Sequence, residues 1–178
     1  MSNEPNFRNR TRWSRRVALA LICLTASWSL VAAGKYPLAG KPAPDFALRS
    51  TAGVNLRLSE QRGDVVVLSF WSSRCNTCRA QLAELDRLHA TYRPAGFIVF
   101  GVNVDDNPGP ALEFARSQSV SFPMLMDPAK QVAREYLVDA LPMLVAIDRF
   151  GNVRMVRRDD KPNSAPEYLA ALRRLIDE

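Results

Sequence analysis

Metal-binding side chains are scarce in this sequence of 178 residues, which contains one histidine and three cysteines. A structural zinc site usually takes four cysteine or histidine ligands. Beyond the N-terminal segment the chain offers Cys75, Cys78 and His89 as nitrogen or sulfur ligands, so that set is incomplete. We therefore predict no metal and no other cofactor, and we expect His89 to be a partly solvated helix residue.

Basic residues beyond the N-terminus barely outnumber acidic ones, although the formal net charge is +6. Residues 1–34 hold five arginines against one acid, Glu4, and thus contribute +4 of that charge. The rest of the chain shows no basic helix and no alternation of aromatic and basic residues, which are features of nucleic-acid-binding proteins. The composition therefore argues against a nucleic-acid partner.

Long apolar runs are also few, and the clearest, residues 17–33, follows the five arginines. A positive segment, an apolar core and small residues at its end are typical of a secretory signal. The run is slightly shorter than the roughly 20 residues of a membrane-spanning helix. We expect residues 1–34 to be a signal peptide or a retained membrane anchor, and residues 35–178 to be periplasmic or otherwise extracytoplasmic. Cys23, inside the run, is interpreted as a small hydrophobic residue.

Strand and helix patterns alternate along residues 35–178, a length that suits one globular domain. Residues 65–71 are mostly β-branched or aromatic, as expected of a strand that is buried on both faces. The pattern predicts further strands at residues 54–58, 97–104, 122–126, 143–148 and 152–157. It predicts helices after Cys75, from Pro110, from Asp127 as a cap, and from Ser164 with Glu167 as a capping box. This order predicts an α/β fold in which helices flank a central mixed β-sheet.

Cys75 and Cys78 form a Cys-x-x-Cys motif between strand 65–71 and the next predicted helix. At a helix N-terminus, unpaired backbone N–H groups and the helix dipole favour a thiolate over a thiol. Arg74 and Arg79 flank the pair and add positive charge. We predict a catalytic dithiol in which Cys75 attacks a disulfide and Cys78 then closes the Cys75–Cys78 disulfide. A purely structural disulfide is the alternative, but so small a ring would stabilise the fold only weakly.

Several segments resemble the TlpA/ResA group of thioredoxin-like proteins, within the AhpC/TSA redoxin superfamily. The stretch FWSSRCNTCR at residues 70–79 resembles the active-site segment of that group. The resemblance extends to residues 40–46, 58–63, 101–105, 138–142 and 147–152. It implies a thioredoxin-like fold, preceded here by the N-terminal signal or anchor helix.

The resemblance also implies a function and a set of site residues. The group reduces disulfides of exported proteins, or clears their cysteines before metal or haem insertion, with electrons from a membrane dithiol donor. Cys75 and Cys78 would be the catalytic pair. Four further residues would bind or orient the substrate: Trp71, Arg74, Leu141 and Pro142. Pro142 would follow a cis peptide bond and face the disulfide, leaving neighbouring backbone to pair with an extended substrate.

Some positions depart from the pattern of the group. Relatives carry a buried acid near the second cysteine, where this chain has Ser69 and Gln81, and neither side chain can take up a proton as a carboxylate does. We therefore hypothesise that Cys78 resolves the mixed disulfide slowly, or uses water or a base of the partner protein. Arg74 replaces a frequent tryptophan, and the position before Cys78 lacks a frequent proline.

Three other functions remain open at the level of sequence. A peroxiredoxin-like thiol peroxidase needs a proline and a hydroxyl residue before its cysteine. Ser72 could supply the hydroxyl, but Leu68 stands where the proline is needed. A copper-delivery module usually spaces its cysteines more widely and adds a distant histidine. A disulfide oxidant would share every motif, because the reduction potential depends on how well the reduced thiolate is stabilised.

Overall fold

A computed structural model describes residues 36–158 and 165–178 of the chain. Seven strands form one sheet in the order β2-β1-β5-β4-β3-β6-β7. The strands are β1 (Ala47–Ser50), β2 (Asn55–Arg57), β3 (Val65–Trp71), β4 (Phe97–Asn103), β5 (Met124–Met126), β6 (Met143–Ile147) and β7 (Val153–Arg158). The helices are α1 (Asn76–Tyr92), α2 (Pro108–Gln118), α3 (Gln131–Glu135) and α4 (Ala165–Asp177), and short 3-10 turns cover Leu58–Gln61 and Arg93–Ala95.

Strand β3 lies inside the sheet, parallel to β4 and antiparallel to β6. Strand β4 is also parallel to β5, whereas the outer pairs are antiparallel. All residues of β3 are buried, as the apolar pattern predicts. Gly151, with a φ of 82°, supplies the turn of the predicted hairpin between β6 and β7. The α/β fold with a mixed central sheet is therefore confirmed.

Successive side chains of β3 point to opposite faces of the sheet, and each face is covered by a core. Val67 and Trp71 point into a core shared with α1, α2 and α4. Leu68 and Phe70 point into a second core that includes residues of α3 and of the segment before β1. The first core holds α1, and with it the Cys-x-x-Cys motif, against the end of β3.

The sequence pattern predicts that helix α2 begins at Pro110, but in the structure it begins at Pro108. The reason is the side chain of Asn107, which caps the helix by accepting the N–H of Gly109 at 3.0 Å. Pro108 then occupies the first helical position, where its missing N–H costs no hydrogen bond.

Helix α3 begins at Gln131, four residues later than the cap predicted at Asp127. Lys130 adopts a left-handed conformation with a φ of 53°, so the helix cannot extend back through it. The Asp127 carboxylate nevertheless accepts the N–H groups of Gln131 and Ala133, both at 2.9 Å. The Asp127 side chain thus pairs two backbone N–H groups at the N-terminus of α3, although Asp127 is not the residue that precedes the helix.

His89 lies on α1 and is buried, so the prediction of a partly solvated residue is wrong. Its ring meets Phe122 edge-on, and its Nδ1 has no hydrogen-bond partner among the described residues. Burial, reinforced by the positive charge of Arg93, lowers the pKa of His89 below its usual value, although Asp86 acts in the opposite direction. The helix packs this side chain inward because it lies one turn beyond Leu85.

We expect acid to destabilise the fold through His89. The unfolded chain binds this proton at about pH 6.5, whereas folded His89 resists protonation, so stability is lost as the pH falls through that value toward the folded pKa. Urea unfolding at about pH 7.5 and about pH 5 would compare the wild type with a His89→Leu variant. The wild type should lose more stability than the variant between the two pH values. Equal losses would contradict the prediction.

Two sequence predictions concern residues outside those described. They are the signal or anchor helix at residues 17–33, which includes Cys23, and the helix cap at Ser164. Among residues 36–158 and 165–178, no helix has the length and apolar character that a membrane crossing requires.

Candidate active site

The Cys-x-x-Cys motif lies between the end of β3 and the start of α1. Cys75 is the N-cap residue of α1, with extended backbone angles (φ −87°, ψ 103°). A disulfide joins its sulfur to that of Cys78, with the two Cα atoms 5.4 Å apart. The Sγ of Cys75 also accepts the backbone N–H of Cys78 at 3.2 Å. The ring therefore connects the cap residue to the first turn of the helix.

The two cysteines differ in their access to solvent. Cys75 is partly exposed, whereas Cys78 is 0% exposed and belongs to the core beneath α1. A reduced Cys75 would lie at the positive end of the helix dipole, and the first turn of α1 contains no acidic residue. This environment stabilises a thiolate at Cys75. An incoming disulfide could reach Cys75 but not Cys78.

The turn at residues 72–74 links β3 to Cys75 and has hydrogen bonds of its own. The Ser72 Oγ accepts the N–H of Arg74 at 3.2 Å, and the Ser72 carbonyl accepts the N–H of Cys75 at 3.1 Å. The Arg74 side chain is exposed. The structure therefore places Arg74 on the accessible surface next to Cys75 in the chain.

Asp105 supports this turn from the segment that follows the neighbouring strand β4, and sequence reasoning missed it as a site residue. Its Oδ2 accepts the N–H of Ser73 at 2.8 Å and an amide N–H of Asn103 at 2.9 Å. Burial raises the pKa of Asp105, but the hydrogen bonds from Asn103, Ser73 and Ser72 outweigh it and hold the pKa below its usual value. The position of Asp105 in the sequence could have indicated its role. Asp105 follows β4, which is parallel to β3, so both strands end at the same edge of the sheet.

A cleft of about 310 Å³ lies beside the turn. The side chains or backbone of six residues line it: Ser73, Arg74, Asp105, Asp106, Asn107 and Pro110. The cleft thus runs from the turn before Cys75 to the N-terminal end of α2.

The loop before β6 carries the predicted residues Leu141 and Pro142. The peptide bond between them is cis, as the resemblance implies. Pro142 is buried, whereas Leu141 is partly exposed and packs against the core that contains Cys78. Asp139 of the same loop forms an ion pair with Arg158 of β7 at 2.8 Å. The structure therefore brings this loop and the cysteine pair to one core.

Trp71, predicted to orient the substrate, is fully buried. Its indole stacks on the Phe114 ring of α2, with centroids 5.0 Å apart, and the Arg79 guanidinium lies 5.1 Å from the Phe114 centroid. A Cβ atom on Gly101 of β4 would clash with the Met124 sulfur and lie 3.3 Å from the indole Nε1, so glycine leaves room for both side chains. Trp71 therefore supports the site from within the core and is not on its accessible surface.

Two neutral polar side chains, Ser69 of β3 and Gln81 of α1, lie buried near the motif. The Ser69 hydroxyl donates to the Gln81 Oε1 at 3.3 Å. Gln81 follows Cys78 by three residues, so both lie on the same face of α1. This bond pairs the Ser69 hydroxyl with the Gln81 amide oxygen, but neither side chain can take a proton from Cys78 as a carboxylate would.

Comparison with known proteins agrees with this geometry. Residues 39–156 match the AhpC/TSA family. This chain belongs to the AhpC/TSA family. Within the family it is similar to the thiol-disulfide oxidoreductase ResA of Geobacillus kaustophilus, with 33% identity over 66% of this chain and 67% of that protein. ResA of Bacillus subtilis is 31% identical over 77% of this chain and 78% of that protein.

The fold of this chain is similar to that of a solved structure of another protein. A Chlorobium tepidum protein described as a thiol:disulfide interchange protein DsbE is 33% identical, with a TM-score of 0.74 over 78% of this chain and 97% of that chain. The thioredoxin-like fold is thereby confirmed. The chain is a ResA-like redoxin, and its Cys75–Cys78 disulfide at the start of α1 is the pair that a thiol–disulfide oxidoreductase requires.

Proposed function

We propose that this thiol–disulfide oxidoreductase reduces disulfide bonds of exported proteins through Cys75 and Cys78. The observation that carries the exchange chemistry of this proposal is the unequal exposure of the two cysteines, partly exposed at Cys75 and buried at Cys78. The reducing direction follows the resemblance to the TlpA/ResA group. Cys75 is accessible to a large substrate, and Cys78 is held where it can attack only Cys75. Leu141 and Pro142 would bind an extended substrate segment, and Arg74 would contact it from the turn.

The cycle transfers two electrons and two protons to the substrate. The Cys75 thiolate attacks one sulfur of the substrate disulfide, which forms a mixed disulfide and releases the other sulfur as a thiolate that takes up a proton. Cys78 then loses its proton and attacks the Cys75 Sγ. This step restores the Cys75–Cys78 disulfide and releases the second substrate thiol. A membrane dithiol donor would reduce the pair again by the same exchange.

We further propose that residues 35–178 form the redox domain and work outside the cytoplasm, in the periplasm or a similar space. Five arginines followed by the apolar run at residues 17–33 support export, either with a cleaved signal or with a retained anchor. An extracytoplasmic location also suits the reaction, because structural disulfides form and persist in oxidising compartments.

Turnover assays on the reduced full-length protein test this function. The protein should reduce oxidised glutathione and a disulfide-bonded peptide, and it should end as the Cys75–Cys78 disulfide. Stoichiometric loss of hydrogen peroxide, with electrons from a dithiol, would indicate a peroxidase instead. Tight Cu(I) binding in an anaerobic titration, without disulfide exchange, would indicate metal delivery.

A Gln81→Glu variant should resolve the mixed disulfide faster than the wild type. A carboxylate at this buried position would accept the Cys78 proton, whereas the present amide is hydrogen-bonded to Ser69 and cannot. A positioned general base commonly contributes a hundredfold or more, and we expect at least about a tenfold gain at neutral pH. Stopped-flow thiol exchange measures the release of the mixed disulfide.

A Gln118→Glu variant is the matched control, because Gln118 lies at the end of α2 and is partly exposed. It makes the same chemical change and should leave the rate unaltered. If wild-type Cys78 already attacks as fast as Cys78 in the Gln81→Glu variant, the hypothesis of slow resolution is wrong.

A further inference from the structure

Asp105 is a buried carboxylate that the proposed exchange cycle does not use. It is 7% exposed, and its Oδ2 accepts hydrogen bonds from the Ser73 N–H and the Asn103 amide. Its own backbone N–H donates to the Asn103 Oδ1 at 3.0 Å. These groups are neutral, so they hold an ionised carboxylate without cancelling its charge.

A short series of hydrogen bonds connects this carboxylate to Cys75. Asp105 holds the Ser73 N–H, and Ser73 lies two residues before Cys75. The adjacent Ser72 carbonyl accepts the N–H of Cys75, and the Ser72 hydroxyl accepts the N–H of Arg74. The turn that places Cys75 at the N-cap of α1 is therefore attached to the end of β4 through Asp105.

We propose that Asp105 is a positioning residue that holds the turn before Cys75 and, through its fixed negative charge, makes the Cys75–Cys78 pair more reducing. This inference rests on the proposed disulfide exchange. Its physical basis is the repulsion between two anions: a buried charge that is hydrogen-bonded to the turn two residues before Cys75 disfavours the thiolate there. The reduced state is then less stable relative to the disulfide, so the reduction potential is more negative.

Other charges near the turn act differently. Arg74 is exposed and favours the thiolate, but water and salt screen it. Asp106 also lines the cleft, yet its side chain is 73% exposed and pairs with Lys130 at 2.8 Å. The negative charge of Asp106 is thus both solvated and neutralised. Asp106 therefore provides a matched control, one residue away, for the removal of a carboxylate.

The test compares Asp105→Asn with Asp106→Asn in the full-length protein. The asparagine at position 105 keeps an oxygen that can accept the Ser73 N–H but removes the charge. Equilibration with glutathione buffers should show a roughly threefold to tenfold shift toward the reduced dithiol in Asp105→Asn, and tenfold corresponds to about 30 mV. The pH profile of Cys75 alkylation should move to lower pH in the same variant. Asp106→Asn should match the wild type in both measurements.

An Asp105→Glu variant separates charge from geometry, because it keeps the carboxylate. If Asp105→Glu shifts the equilibrium as much as Asp105→Asn, or if Asp105→Asn matches the wild type, the proposed role of the charge is wrong. If Asp105→Asn does not fold, Asp105→Ser replaces it, with the same expected shift. A wild type that exchanges with glutathione but shows no effect of Asp105 refutes this inference alone. A wild type that does not exchange at all refutes the proposed function as well.

Discussion

The Cys75→Ser variant should lose thiol–disulfide exchange by at least about a thousandfold, because the thiolate is the nucleophile and a serine hydroxyl does not replace it. We expect the first attack to be lost in Cys75→Ser and kept in Cys78→Ser, since Cys75 is partly exposed and Cys78 is buried. The measurement is the rate of reduction of a disulfide-bonded peptide by the reduced protein.

The Cys78→Ser variant should behave differently from Cys75→Ser. It retains the attacking thiolate but lacks the group that resolves the mixed disulfide, so a covalent complex with the peptide should accumulate and be visible by mass spectrometry. A Cys23→Ser variant, which removes the third cysteine, should keep full activity. Accumulation of the complex in Cys75→Ser, and none in Cys78→Ser, would reverse the assigned roles.

The Trp71→Ala variant should lose about 3–5 kcal/mol of the free energy of unfolding, the usual cost of deleting a large buried aromatic side chain. Trp71 is 0% exposed, and its indole stacks on Phe114 in the core that also holds Cys78. Its removal leaves a cavity between β3, α1 and α2. Urea unfolding followed by circular dichroism measures the loss without relying on tryptophan fluorescence.

Phe150→Ala is the control for Trp71→Ala. Phe150 is 83% exposed at the tip of the β6–β7 hairpin, so its removal should change stability by less than about 0.5 kcal/mol. The pair of variants also tests the role of Trp71. A Trp71→Ala protein of nearly normal stability but with a raised KM for the peptide would mean that Trp71 contacts the substrate, as the sequence resemblance suggested.

The central part of the fold could be predicted because its signals are local. Residues 65–71 form an apolar run with no polar face, so burial on both sides follows directly, and the structure buries all of β3. The Cys-x-x-Cys motif follows this strand and precedes a helical apolar pattern, which places Cys75 at a helix N-terminus. The cis bond before Pro142 is different in kind, since the family resemblance implied it and spacing alone did not.

Other features depend on contacts between distant segments and were not predictable from local pattern. The start of α3 is set by the left-handed backbone conformation of Lys130, and lysine is not a residue type that predicts this conformation. His89 is buried because its helix face meets Phe122, 33 positions further along the chain. Asp105 belongs to the site because β4 pairs with β3, and this pairing brings the Asp105 carboxylate to the N–H of Ser73.

The redox direction of the site depends on opposing electrostatic effects. The N-terminus of α1 and Arg74 stabilise the Cys75 thiolate and would make the pair more oxidising. The buried charge of Asp105 acts in the opposite direction, by disfavouring the thiolate. The absence of a base at Ser69 and Gln81 affects the rate of the resolving step and not the potential. The balance of the electrostatic effects determines whether the protein donates or accepts electrons.

The reduction potential of the Cys75–Cys78 pair tests the proposed direction most directly. It is measured on the full-length protein equilibrated in glutathione or dithiothreitol buffers, with the fraction of free thiol quantified by alkylation. We predict a potential at or below about −220 mV, within the range of glutaredoxins and thioredoxin, which is that of a disulfide reductant. A potential near about −120 mV, as in strongly oxidising dithiols, would contradict the proposed direction and identify the protein as a disulfide oxidant.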